Sequence, residues 1–125
     1  MAKILAVEDE PLVRMLVVET LSEAGHTVLE APDGEVALAI VRETPDLDLI
    51  VTDVRMPKLD GFALAIATQQ LRPKLGVLFM TGYMGTEVPA QLSRAKVMQK
   101  PFDPDIFVLT IGKMLNSRET GDAPR

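Results

Sequence analysis

Leu49-Ile50-Val51-Thr52-Asp53-Val54-Arg55-Met56-Pro57 decides the fold: an apolar, β-branched run delivers one carboxylate, Asp53, into a turn closed by a proline. With Asp60-Gly61 shortly after it, the run fits a strand covered on both faces, although its length alone leaves a buried helix segment open. Standing by itself, an acid in that place reads as a turn or cap residue more readily than as a nucleophile. What the rest of the chain sets beside it decides between the two.

Four further apolar runs have the same form. Lys3-Ile4-Leu5-Ala6-Val7 empties into Glu8-Asp9-Glu10, and His26-Thr27-Val28-Leu29-Glu30 follows the helix stop Gly25. Leu75 to Met80 ends in Thr81-Gly82-Tyr83, and Ala95 to Gln99 leads into Lys100-Pro101. Helical patterns lie between them. Asp9-Glu10-Pro11 starts the first, with Leu12, Met15 and Leu16 as its apolar face, and Asp33-Gly34-Glu35 opens the second, which carries Val36, Ala37, Leu38, Ile40 and Val41 and closes at Pro45. Asp60 caps a third, Gly61 to Leu71, through Phe62, Leu64, Ala65 and Ile66; Asp103 caps a last one through Ile106, Phe107, Leu109, Ile111, Met114 and Leu115. Met84 to Arg94 contains Gly85 and Pro89 and supports only a short fourth helix. The polar residues beyond Asn116 read as a disordered tail, so the domain is expected to span 1–118 and the tail 119–125.

Strands joined by helices lie parallel and need right-handed crossovers, so the pattern is α/β with a five-stranded, doubly wound parallel sheet. Such sheets bind ligands outside the carboxyl ends of their strands. Glu8, Asp9, Asp53, Thr81 and Lys100 all fall at those ends, and one crevice can collect them.

Composition narrows the function. A chain of 125 residues with 47% apolar content builds one core and leaves no room for a second domain. A net charge of −5 argues against direct nucleic-acid binding, and the absence of cysteine excludes disulfides, thiolate metal sites and thiol redox chemistry. The first apolar run is cut by acids far short of a signal peptide or membrane span, which points to a soluble cytoplasmic protein with no membrane partner. His26 is the sole histidine, so a histidine metal site and a Ser-His-Asp triad are excluded, and it is assigned no role. The glycines form no phosphate-cradling loop.

Three carboxylates in one crevice repel, and a cation resolves the conflict. An all-oxygen ligand set favours Mg2+, which together with Lys100 balances the three acids. A carboxylate so placed can attack phosphorus, with metal, ammonium and hydroxyl steadying the transferring oxygens, and Asp53 is the candidate nucleophile.

Glu8-Asp9, Asp53 with Met56-Pro57 and Asp60-Gly61, Thr81-Gly82, and Lys100-Pro101-Phe102 together resemble the receiver domain of two-component response regulators, over residues 3 to 116. The resemblance implies a flavodoxin-like (βα)5 fold with strand order 2-1-3-4-5. It implies that Asp53 accepts phosphate from a histidine kinase or histidine phosphotransfer protein, that Glu8 and Asp9 hold Mg2+ with the Arg55 carbonyl as a further ligand, and that Thr81 and Lys100 engage the phosphoryl group. It also implies a cis Lys100-Pro101 bond, which is accessible before proline. Two departures stand out. Val97 occupies the place of the family's aromatic switch residue, so switching is expected to run through Thr81 and Tyr83, and the bulky Arg55 and Tyr83 predict slow autodephosphorylation. The leading reading is a phosphorylation-regulated switch acting on a protein target not named by the sequence, with no output domain encoded. A pure interaction module fits poorly with Asp53, Thr81 and Lys100 retained together. A Mg2+ hydrolase would need an acid–base carboxylate two residues after its nucleophile, where Arg55 stands.

Overall fold

The computed structural model describes residues 2–82, 88–92 and 95–120, with side chains of the last helix through Asn116. The chain runs β1 (Lys3–Val7), α1 (Pro11–Glu23), β2 (Thr27–Ala31), α2 (Gly34–Glu43), β3 (Leu49–Asp53), α3 (Gly61–Leu71), β4 (Gly76–Thr81), β5 (Lys96–Gln99) and α4 (Pro104–Thr120). All strand pairs are parallel and the order is β2-β1-β3-β4-β5, as the resemblance implies.

Strand residues alternate between two cores, which is why the runs are apolar throughout. Leu5, Val7, Ile50, Val77 and Phe79 pack with Ala37 and Val41 of α2 and Leu64 and Ala65 of α3. Ile4, Ala6, Leu49, Val51, Leu78 and Met80 pack on the other face with Val17 and Leu21 of α1 and Phe107, Ile111 and Met114 of α4. Burying both faces of every central strand supplies the main driving force, about 25 cal/mol for each Å² of apolar surface removed from water. Helix starts follow their caps: Asp33 accepts the Val36 N–H at 2.9 Å, Asp60 that of Ala63 at 2.8 Å, and Asp103 that of Asp105 at 2.8 Å. His26 is structural, its Nδ1 accepting the Ala2 N–H at 3.1 Å.

Three expectations need correction. The face of α1 that enters the core is Val13, Val17 and Leu21, whereas Leu12 (71%), Met15 (52%) and Leu16 (48%) are exposed. Two apolar stripes compete on this helix, and the i, i+4, i+8 stripe meets the sheet. Val36, Ile106 and Leu109, named from sequence in the apolar patterns of the second and last helices, are likewise exposed. Helix α4 continues to Thr120, past the tail expected from Ser117; residues 117–120 contain neither glycine nor proline, and Gly121 follows. Four helices stand among the described residues; 88–92 are irregular or turn, and the rest of the segment expected to hold a short helix, residues 84–87 and 93–94, lies outside them.

Arg72, one residue past α3, ties the two helices of the first core together. Its guanidinium donates to the carbonyls of Thr44 (2.7 Å), Pro45 (2.8 Å), Leu47 (2.9 Å) and Val41 (3.4 Å), closing the carboxyl end of α2 from outside. Arg72→Ala is expected to lower unfolding free energy by about 2–3 kcal/mol, since several bonds to one charged donor are lost together. Urea denaturation checks this; an unchanged midpoint contradicts it.

Candidate functional site

Strand order reverses between β1 and β3, so the loops leaving their carboxyl ends diverge and open a crevice there. Backbone bonds extend the ladder just past the sheet and fix where the crevice begins. Glu8 N–H donates to Ala31 O at 3.1 Å, Val54 N–H to Met80 O at 3.3 Å, and Lys100 N–H to Thr81 O at 2.8 Å. Glu8, Asp53 and Lys100 are thereby aimed at one point from three strands.

Carboxylate oxygens of Glu8, Asp9 and Asp53 lie within 4.8 Å of one another. Glu8 is buried at 2% exposure, Asp53 is half-buried and Asp9 is exposed, so the cluster has a deep end and an open mouth. Lys100 Nζ donates to Asp53 Oδ2 at 3.0 Å and to Glu8 at 3.1 and 3.3 Å, while Asp53 Oδ1 accepts the Val54 N–H at 2.7 Å. The Lys100-Pro101 peptide is cis, as expected. Thr81, buried, closes β4 one residue beyond Met80, the register partner of Asp53. Arg55 is exposed in the loop after β3. Tyr83, with the neighbouring Met84 and Gly85, lies outside the described residues, and Val97 is exposed on β5.

Burial, followed by the charge of Asp53, raises the Glu8 carboxyl to about 7 against the opposing pull of Lys100. Burial acts to lower Lys100, but its bonds and charge contacts with Asp53 and Glu8 outweigh that and raise it, so it stays an ammonium. The donor set fits a small hard cation: three carboxylates converge, all ligands are oxygen, and one acid is held against its own ionisation until positive charge arrives.

Arg14 was not singled out from sequence. From α1 its Nη1 donates to the Glu8 carbonyl at 2.8 Å and its Nε to Glu30 at 3.3 Å, tying down the loop that presents Glu8 and Asp9. The legible signal was one cation interrupting the otherwise apolar stretch Leu12 to Val18.

A family model for the response regulator receiver domain matches residues 4–111. This chain belongs to the response regulator receiver family. It is 34% identical over 118 residues to the response regulator receiver protein CpdR of Brucella abortus, covering 92% of this chain and 98% of that one. It is also 34% identical over 123 residues to the sensor kinase CckA of Brucella abortus, spanning 94% of this chain but only 13% of the kinase. Among solved structures, the chemotaxis protein CheY4 of Vibrio cholerae superposes with a TM-score of 0.84 at 31% identity, covering 91% of this receiver and 98% of CheY4. The receiver domain of the hybrid histidine kinase CckA gives 0.78 at 33%, covering 90% and 98%. No helix of the receiver among the described residues is long and apolar enough to cross a membrane.

The raised Glu8 carboxyl has a signed consequence. Its protonated form is favoured in the folded state, so its contribution to metal-free stability is complete below pH about 4.5 and is lost as pH rises through about 7. Glu8→Gln is expected to remove that decline, making the variant more stable than wild type at pH 8 in chelator. Urea titrations across this window check it, and parallel pH profiles for the two proteins contradict it.

Proposed function

We propose that this receiver takes a phosphoryl group on Asp53 from a histidine kinase or histidine phosphotransfer protein, in a Mg2+-dependent reaction, and relays signal by changing its affinity for a protein target. The observation that carries this reading is the Lys100 ammonium bonded to both Asp53 and Glu8 inside a three-carboxylate cluster. The likeness to a response regulator receiver protein and to the receiver of a hybrid histidine kinase supports the class of donor.

Glu8, Asp9 and Asp53, with the Arg55 carbonyl, are the residues that would hold Mg2+. Bound there, the ion supplies positive charge to neutralise the phosphoryl oxygens. The chain's own groups do the rest. An Asp53 oxygen attacks phosphorus and forms the new P–O bond while the donor's P–N bond breaks, its electron pair leaving with the imidazole. Lys100, already paired with Asp53, is positioned to follow the charge onto a phosphoryl oxygen, and the Thr81 hydroxyl is the group for another. Glu8 and Thr81 are both buried at this side of the crevice. The same arrangement lets the receiver catalyse its own phosphorylation from a small donor. Arg55, bulky and beside the acceptor, favours slow loss of the group by crowding the line of water attack.

Binding of the phosphoryl group shifts the conformational balance only through contacts that differ between states, and Thr81 is the hydroxyl placed to make one. The net charge of −5 favours a protein target over nucleic acid.

Intact-mass measurement after incubation with acetyl phosphate and Mg2+ tests the assignment. One phosphoryl group is expected on wild type, and none on Asp53→Asn or in excess chelator. Full labelling of Asp53→Asn would move the nucleophile elsewhere and overturn the proposal.

A further inference from the structure

We propose that Asp33-Gly34, at the start of α2, is a positioning element for the phosphoacceptor site: it seats the loop of residues 54–60 in the shape that the metal site needs. The proposal rests on the functional reading above, because that loop carries the Arg55 carbonyl and follows directly on Asp53.

Gly34 is buried, and a Cβ built on it would stand 2.1 Å from the Leu59 carbonyl oxygen and 2.8 Å from Leu59 Cβ. The nearest obstacle is backbone, so no rotamer change relieves it. Glycine is required here by contact, letting the loop lie directly on the first turn of α2. Beside it, Asp33 uses one oxygen to cap α2 through Val36 and faces Lys58 Nζ with the other at 3.6 Å. The Val36 bond, helped by the Lys58 charge, holds the Asp33 carboxyl below its usual range. Lys58 occupies the left-handed region at φ 69°, a conformation that a lysine keeps only where its surroundings determine it.

The other end of the loop is fixed as tightly. A Cβ on Gly61 would stand 2.2 Å from the Asp53 carbonyl oxygen, and Gly61 N–H donates to Val54 O at 2.8 Å, so the chain doubles back onto the residue it left. Met56 and Leu59 pack against the α2–α3 core, and Thr52 Oγ1 contacts Met56 Sδ at 3.9 Å. Arg55 therefore sits between a pinned Asp53 and a pinned Met56. The pinning on the far side comes from α2, an element that contributes no residue to the carboxylate cluster. Small changes in the groups behind metal ligands commonly cost affinity because they change ligand aim.

The test measures Mg2+ binding by calorimetry and amide exchange in metal-free protein, on wild type, Gly34→Ala, Leu59→Gly and Arg72→Ala. Gly34→Ala wedges the loop away from α2, and Leu59→Gly keeps the backbone contact but removes the side chain that packs the loop on the α2–α3 core. Each is expected to raise the Mg2+ Kd by roughly tenfold or more. In each, amides of residues 54–60 should exchange faster before any metal is added. Arg72→Ala loses stability far from the site and should keep the wild-type Kd, which separates positioning from general destabilisation. Wild-type affinity and wild-type exchange in Gly34→Ala would overturn the proposal, as would an equal loss of affinity in Arg72→Ala. Should Gly34→Ala not fold, Leu59→Gly decides by the same two readings. Absence of saturable Mg2+ binding in wild type would instead remove the functional reading, while faster exchange in the variants would still report the seat itself.

Discussion

Burial of Glu8 against the Asp53 carboxylate at one end of the sheet is the constraint on which the receiver depends. Carboxylate oxygens of Glu8, Asp9 and Asp53 lie within 4.8 Å of one another, and the burial of Glu8 adds to its repulsion from Asp53. Nothing local repays this in full. Lys100 reaches Glu8 and Asp53, yet Glu8 is still held toward its neutral form. The cost is carried by the sheet, whose strands are buried on both faces and do not move apart to relieve it. A divalent cation entering the crevice would bring compensating charge and recover part of what folding spent.

Rigidity is distributed unevenly around the crevice. On the β1 and β3 side the loops are tied down by the Glu8–Ala31 backbone bond, by Arg14 on the Glu8 carbonyl, and by Gly34 and Gly61 against the loop after β3. The groups that would bear charge from outside are thus presented on fixed backbone, which favours orientation over adjustment. Thr81 and Lys100 come from the β4 and β5 side, where the Lys100–Thr81 backbone bond links them to each other.

The fold was legible because central strands of a parallel sheet must be apolar throughout, as Leu49 to Asp53 and Lys3 to Val7 are, and because Asp33, Asp60 and Asp103 sit where helices need caps. Glu8, Asp9, Asp53 and Lys100 were legible for a related reason, since strand ends in such a sheet converge. The apolar face of α1 was not, because a helix rich in Leu, Val and Met on several sides does not announce which stripe faces the sheet. Arg14, Gly34 and Lys58 escaped for another cause. Their roles lie in contacts between elements distant in sequence, Gly34 with Leu59 above all, and a glycine after a helix cap reads locally as a turn residue.

A crystal structure of the receiver grown with Mg2+ and beryllium trifluoride, a mimic of the phosphoryl group, tests the central claim most directly. The account predicts one Mg2+ held by Glu8, Asp9, Asp53 and the Arg55 carbonyl, with the trifluoride on Asp53 and its fluorines bonded by Lys100 and Thr81. Mg2+ bound away from the three carboxylates, or the trifluoride attached to another acid, would contradict it.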